Sequence, residues 1–243
     1  MYDFIQQLKE QHSLLNNPYF RALQDGSFGQ SDFVETQIQF LQAVVFFSRP
    51  MAMLAARLPR PEMRLGVLHN VWEEHGEGDL RQSHEHTFLT LLERLNVTHD
   101  EIRRRSLWPE VRAFNTALLG ACSGDDVWLG AAALGMIEDL FSGISAFLGE
   151  AVLAQGWLQE GELIHYATHA TLDVEHAADF YRILEKPYRD SPEQAYTIEQ
   201  GLALGAYIFM QMYRGLFEAR KRRAFREVHG PHSATDGWYL PLR

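Results

Sequence analysis

Apolar residues recur at threes and fours along nearly the whole chain, and no strand-like alternation interrupts them. Over residues 32–58, Phe33, Ile38, Phe40, Leu41, Val44, Val45, Phe47 and Met51 follow a helical period, with Ser31 or Asp32 as cap and Pro50 as an expected kink. A second segment runs from 62 to about 74, is interrupted by Gly76 and Gly78, and resumes near 82 to end at 95. Gly124-Asp125-Asp126 opens a third long helix that continues to about 158. The fourth is expected over 162–184, stopping at Lys186-Pro187, and the fifth over 192–223. With no hairpin dipeptide between alternating β-formers, the expectation is an all-α bundle of about seven helices. It would form one domain over 1–243, with an irregular tail at 228–243 pinned by Trp238 and Tyr239.

Composition narrows the partners. At 46% hydrophobic and 12% aromatic residues, a chain of 243 residues can build a large core. A net charge of −10 argues against nucleic acid, and Arg220-Lys221-Arg222-Arg223 reads as the basic close of the last helix. Cys122 is the only cysteine, so neither an intrachain disulfide nor a thiolate cluster can form. The start carries no signal-peptide pattern, and no apolar stretch reads as a membrane span, so the expectation is a cytoplasmic protein.

The sharpest local signal is His169-Ala170-Thr171-Leu172-Asp173-Val174-Glu175-His176. On a helix, offsets of zero, four and seven put His169, Asp173 and His176 on one stripe, beside Tyr166, Leu172 and Phe180. Three such donors on an apolar face are costly to bury without a cation. Glu74 and His84 form a second group, but ten residues of unbroken helix would leave them about 80° out of line, so the intervening glycines must re-aim them. Taken alone, Glu73-Glu74 also reads as a solvated helix face. The third donor is Glu138, at the end of the apolar run 131–138, with Asp139 as its competitor. Nitrogen and oxygen donors without sulfur suit ferrous iron or manganese, and six of them more naturally hold two ions than one zinc.

These pieces together resemble the haem-oxygenase-like diiron oxidases, a superfamily sharing its seven-helix fold with haem oxygenase and the thiamin-salvage and pyrroloquinoline-quinone proteins. The resemblance covers about 17–184 and rests on Asn70, Glu73-Glu74, Gly76, Gly78 and His84, on Glu138, and on the closing His169, Asp173 and His176. It implies two Fe2+ ions with dioxygen as co-substrate. Glu74 and His84 would hold one iron, His169, Asp173 and His176 the other, and Glu138 would bridge. Sister branches fit less well: His12 is the only early histidine for a haem, Cys122 is expected in a Ser-Gly loop away from the donors, and no lysine lies between Glu138 and Lys186 to partner Tyr19 in a tyrosine-sacrificing reaction.

The resemblance implies oxidation of a small molecule, by amine N-oxygenation, oxidative C–C cleavage or decarboxylation, and does not choose among them. An external electron donor and a homodimer are both compatible with it. Arg49 and Phe47, in an apolar stretch, are the candidate substrate-binding residues, with Arg49 as the anchor for a substrate carboxylate. His75, His86 and His165 read as solvated, with His165 placed one turn before His169 to support it; Phe46, Met51, Tyr207, Phe209 and Met210 read as core. The rival readings are a non-redox binding or partner-interaction protein and a metal-free hydrolase of the thiamin-salvage type.

Overall fold

A computed structural model describes residues 1–226, so the expected tail with Trp238 and Tyr239 lies outside the described residues. The chain forms ten α-helices over these residues: α1 (Tyr2–Gln11), α2 (Pro18–Gln24), α3 (Gln30–Arg57), α4 (Pro61–Glu74), α5 (His84–Arg94), α6 (His99–Arg104), α7 (Pro109–Ser123), α8 (Val127–Ala154), α9 (Ile164–Asp190) and α10 (Pro192–Ala219). The all-α class holds, and the count of seven gives way to ten. The short helices α2 and α6 are too brief to show a periodic pattern and are set by local signals instead, whereas α1 is amphipathic and buries Ile5 and Leu8. Asn17 caps α2 ahead of Pro18, and Thr98 with Glu101 closes a capping box on α6. Among the described residues the only β pairing is an isolated bridge between Arg105 and Phe225.

Several boundaries move. α3 starts after Gly29 with no side-chain cap and runs through Pro50 without a break in its assignment. α9 passes Pro187 and ends at Asp190, because a proline φ is itself helical and one lost hydrogen bond near a helix end is tolerable. α10 ends at Ala219. The basic residues after it bind neighbouring helices, Arg222 to Glu110 at 2.8 and 3.0 Å and Arg223 to Asp32 at 2.8 Å.

α8 is the central pillar. It is apolar on nearly every side, and a helix of that kind belongs inside a protein. Small residues let its neighbours approach closely: a Cβ on Gly135 would stand 2.8 Å from Phe180 Cβ of α9, and one on Gly205 of α10 would stand 2.4 Å from Ala133 O. Against the expectation of no membrane-length apolar stretch, α3 and α8 are long and apolar enough to span a bilayer, but 67% and 72% of those stretches are buried within the bundle.

Candidate metal centre

α9 brings its stripe to the core as the spacing predicts. His169, Asp173 and His176 are all buried. Both oxygens of Asp173 face His169 Nδ1, at 2.8 and 3.0 Å, which leaves His169 Nε2 on the far side of the ring. His176 presents the opposite edge. Its Nδ1 lies 3.6 Å from Asp173 Oδ1 and 3.9 Å from Glu138 Oε2, while its Nε2 lies 2.9 Å from Glu73 Oε2.

Glu138 comes from the middle of α8. Asn70 Nδ2 donates to its Oε1 at 3.0 Å, leaving Oε2 towards His176. Donor atoms of Glu138, Asp173 and His176 lie within 4.8 Å of one another, close enough to share one cation. The competitor Asp139 is turned elsewhere, bound by Lys9 at 2.6 Å and by the Tyr181 hydroxyl at 3.0 Å.

Glu74 and His84 meet by a different route. α4 ends on Glu74 and α5 begins on His84; between them lie two 3₁₀ turns, Gly76–Gly78 and Leu80–Gln82. The first turn has positive φ at Gly76 (65°), Glu77 (51°) and Gly78 (94°). Glycine is required at 76, where a Cβ would also stand 2.6 Å from the backbone nitrogen of Ser83. Ser83 then caps α5, its Oγ accepting from His86 N at 3.2 Å. The loop thus re-aims the pair: His84 Nδ1 lies 2.8 Å from Glu74 Oε1, without the geometry of a hydrogen bond, and the His84 and His169 rings are 4.2 Å apart.

Four buried imidazoles therefore each carry a ring nitrogen with no hydrogen bond: His84 Nδ1, His165 Nε2, His169 Nε2 and His176 Nδ1. Each unsatisfied buried group costs about 1–3 kcal/mol. Bare nitrogens beside three buried carboxylates are a donor set that fits a divalent cation. Without one, the cluster keeps a proton. Burial acts against the charged form of His176, but Asp173, Glu138 and Glu73 outweigh it and hold the ring up at about 11. Burial pushes Glu74 up, yet His84, His169 and His176 hold it below the ordinary carboxylate range. Glu138 is raised, by burial and then by Asp173 and Glu74, against the pull of His176.

Beside the donors lies a cavity of about 40 Å³. Its walls are Phe40, Ala43, Val44 and Phe47 of α3, Phe114 of α7, Ile137 and Phe141 of α8 and Phe209 of α10, completed by Glu74, His84, Glu138, His165 and His169. That space admits a few water-sized molecules. A wider cleft of about 410 Å³ shares Val44 and Glu74 with it and is otherwise lined by groups that include Ser48, His75, Ser83, Glu85 and His86.

The six predicted donors are thus brought together, and Phe47 lines the cavity. Arg49 does not: it is exposed, with its guanidinium 5.9 Å from the Phe46 ring centre. Two residues along a helix turn the side chain by about 200°, so Arg49 cannot face where Phe47 faces. Tyr207 is 55% exposed rather than core, and His165 is fully buried rather than solvated. Cys122 sits in the last turn of α7 and not in a loop; burial pushes its thiol up to about 12. The sequence names Asn70 and Glu73 only within the motif that carries the resemblance; their contacts with Glu138 and His176 come from packing, although Asn70 and Glu74 are four residues apart and so share a helix face.

Residues 34–209 match the family described as "Iron-containing redox enzyme". No protein of curated function matches the chain. Solved structures show the same fold at low identity. A protein from Shewanella denitrificans with a haem oxygenase-like fold and unknown function superposes with a TM-score of 0.74 at 13% identity, over 88% of this chain and 90% of that one. A TenA homologue from P. horikoshii gives 0.69 at 11% identity, over 89% and 98%. A CADD-like protein of unknown function from Nostoc punctiforme gives 0.69 at 20%, over 90% and 98%.

Proposed function

Because the chain belongs to the iron-containing redox enzymes with a haem-oxygenase-like fold, we propose that it is a dioxygen-dependent diiron oxidoreductase of the cytoplasm that oxidises a small amine, amino acid or carboxylic acid. The observation that carries this reading is the set of bare imidazole nitrogens buried among Glu74, Glu138 and Asp173. Glu74 and His84 would hold one ferrous ion and His169, Asp173 and His176 the second, with Glu138 available to either. When bound, ferrous iron supplies the electrons that dioxygen needs to react with an organic molecule.

The chain's own groups prepare that chemistry. Glu73 takes the Nε2 proton of His176 in a hydrogen bond, so the ring meets a metal through Nδ1. Asn70 fixes one oxygen of Glu138 and leaves the other for the centre. The proton held by His176 must leave as a cation enters. The phenylalanine walls give the reacting groups a largely apolar surround. A cysteine-dependent hydrolase is disfavoured, since the Cys122 thiol is buried and held protonated.

Anaerobic loading with ferrous ion, followed by metal analysis and oxygen-uptake assays with small amines and acids, tests the proposal. The expected result is two irons per chain and substrate-stimulated uptake. Background iron in a protein whose circular dichroism stays helical would defeat it.

A further inference from the structure

His165 takes no part in the metal reading, yet among the described residues it is the most completely buried histidine, with no exposed surface. Its Nδ1 lies 3.0 Å from Thr87 Oγ1. That hydroxyl also lies 3.2 Å from the backbone carbonyl of His84, which can only accept. Both contacts are hydrogen bonds at once only when the hydroxyl donates to the carbonyl and accepts from an Nδ1–H, so the arrangement favours the tautomer of His165 with its proton on Nδ1. The ring edge away from Thr87 is then a bare Nε2 lone pair, buried and without a partner.

The ring lines the cavity beside the donors. The remaining polar side chains there are Glu74, His84, Glu138 and His169, all assigned above to metal, and every other wall is hydrocarbon. A buried acceptor in an apolar chamber is costly unless something donates to it. We propose that His165 Nε2 is a substrate-binding acceptor, and that the site selects molecules carrying an N–H or O–H group at the end that enters the cavity. The inference rests on the diiron reading for the assignment of the other four polar groups. It assigns to Thr87 the positioning of the acceptor through its tautomer. A site built around one acceptor discriminates against an analogue that lacks the donor, because binding that analogue leaves the lone pair unpaired.

Ethanol and dimethyl ether are isomers of similar size, and ethanol alone has a donor. Both are titrated into the full-length, metal-free protein labelled with 15N in its histidines, with His165 identified by its loss in His165→Phe. The expected spectrum shows His165 protonated on Nδ1, an Nε2 resonance that ethanol shifts and dimethyl ether does not, and about tenfold tighter binding of ethanol. Thr87→Val should leave a mixture of tautomers, and both variants should load iron as the wild type does. A proton on Nε2, or equal responses to the two isomers, overturns the proposal. Loss of iron in His165→Phe overturns it in favour of a seventh metal ligand. If that variant does not fold, the isomer comparison on the wild type and the Thr87→Val spectrum still decide. Failure of the wild type to bind iron, measured separately, counts against the diiron reading, whereas the tautomer and the isomer response bear on His165 itself.

Discussion

The two halves of the donor set reach the same point by opposite means. His169, Asp173 and His176 sit on an uninterrupted helix, where the backbone geometry that forms α9 also aligns them. Glu74 and His84 sit at the ends of two helices, and their meeting depends on three consecutive positive-φ residues at 76–78. A stripe of this kind exists as soon as its helix exists. A pair of this kind exists only when a loop adopts one conformation, and it is lost when that loop opens.

The most severe test of the helical half is His176→Ala. It removes the ring nitrogen that faces both Asp173, at 3.6 Å, and Glu138, at 3.9 Å, so oxygen-dependent turnover should fall at least about a hundredfold while helix content stays unchanged. Oxygen-uptake rates and circular dichroism check it; unaltered uptake would show that α9 does not hold a metal.

Glu73→Gln probes the link between the halves, since Glu73 lies on α4 beside Glu74 but orients His176 of α9. Iron affinity should drop about 10–100-fold, with the loss confined to the ion held by α9. Competition with a chelator measures it, and an unchanged affinity would reduce Glu73 to a surface ion-pair partner of His69, 3.0 Å away.

A paired experiment sharpens the contrast directly. Gly76→Ala forces a Cβ into the left-handed region and against Ser83, at a cost of about 1–2 kcal/mol or more. Ala167→Gly, at an exposed position on α9, costs about 1 kcal/mol of helix propensity. Urea melts should show both losses, but only the Gly76 variant should fall from two irons towards one. Equal iron loss in both would mean that global stability, not loop geometry, governs the site.

The smallest expected effect is on pH dependence. In the metal-free protein the His176 ring is raised from its ordinary value to about 11, so its contribution to stability is complete below about pH 6.5 and is lost as pH rises towards 11. One proton contributes a slope of at most about 1.4 kcal/mol per pH unit. Melting temperatures of metal-free protein should fall between pH 7 and 9, by roughly 3–5 °C per unit at most, and His176→Gln should flatten that fall. Iron binding should run the other way, strengthening as pH rises and the proton leaves.

How much was legible follows the same division. Periodicity gave the long helices, and offsets of four and seven located the α9 donors, because both rest on one constant of helix geometry. Glu138 stood out as a charge in a run that burial would otherwise own. For Glu74 and His84 the sequence required a re-aiming loop but could not supply its shape, which depends on Gly76 passing against Ser83. Arg49 was misplaced because an apolar neighbourhood in sequence includes both faces of a helix. His165 was misjudged for the complementary reason: its partners, Thr87, Phe88 and His169, come from α5 as well as from its own helix, and only packing unites them. Asp139 was separated from Glu138 by Lys9, 130 positions away on a helix that periodicity did not reveal.

The close seating of α8 has a consequence for how such a protein could diversify. Where Gly135 and Gly205 let backbones approach to within contact of their neighbours, there is no slack to enlarge one side chain without displacing a helix that carries a donor. On α3, Phe40 is packed against Phe88 and Phe141 and shares that constraint, but the half-buried Val44 and Phe47 hold no proposed ligand and have more room. Changes of volume at these two positions reshape the chamber with least disturbance of the metal-binding frame. New substrate preferences would be acquired on α3, by swaps among hydrocarbon side chains, while α8 and α9 stay nearly invariant in shape.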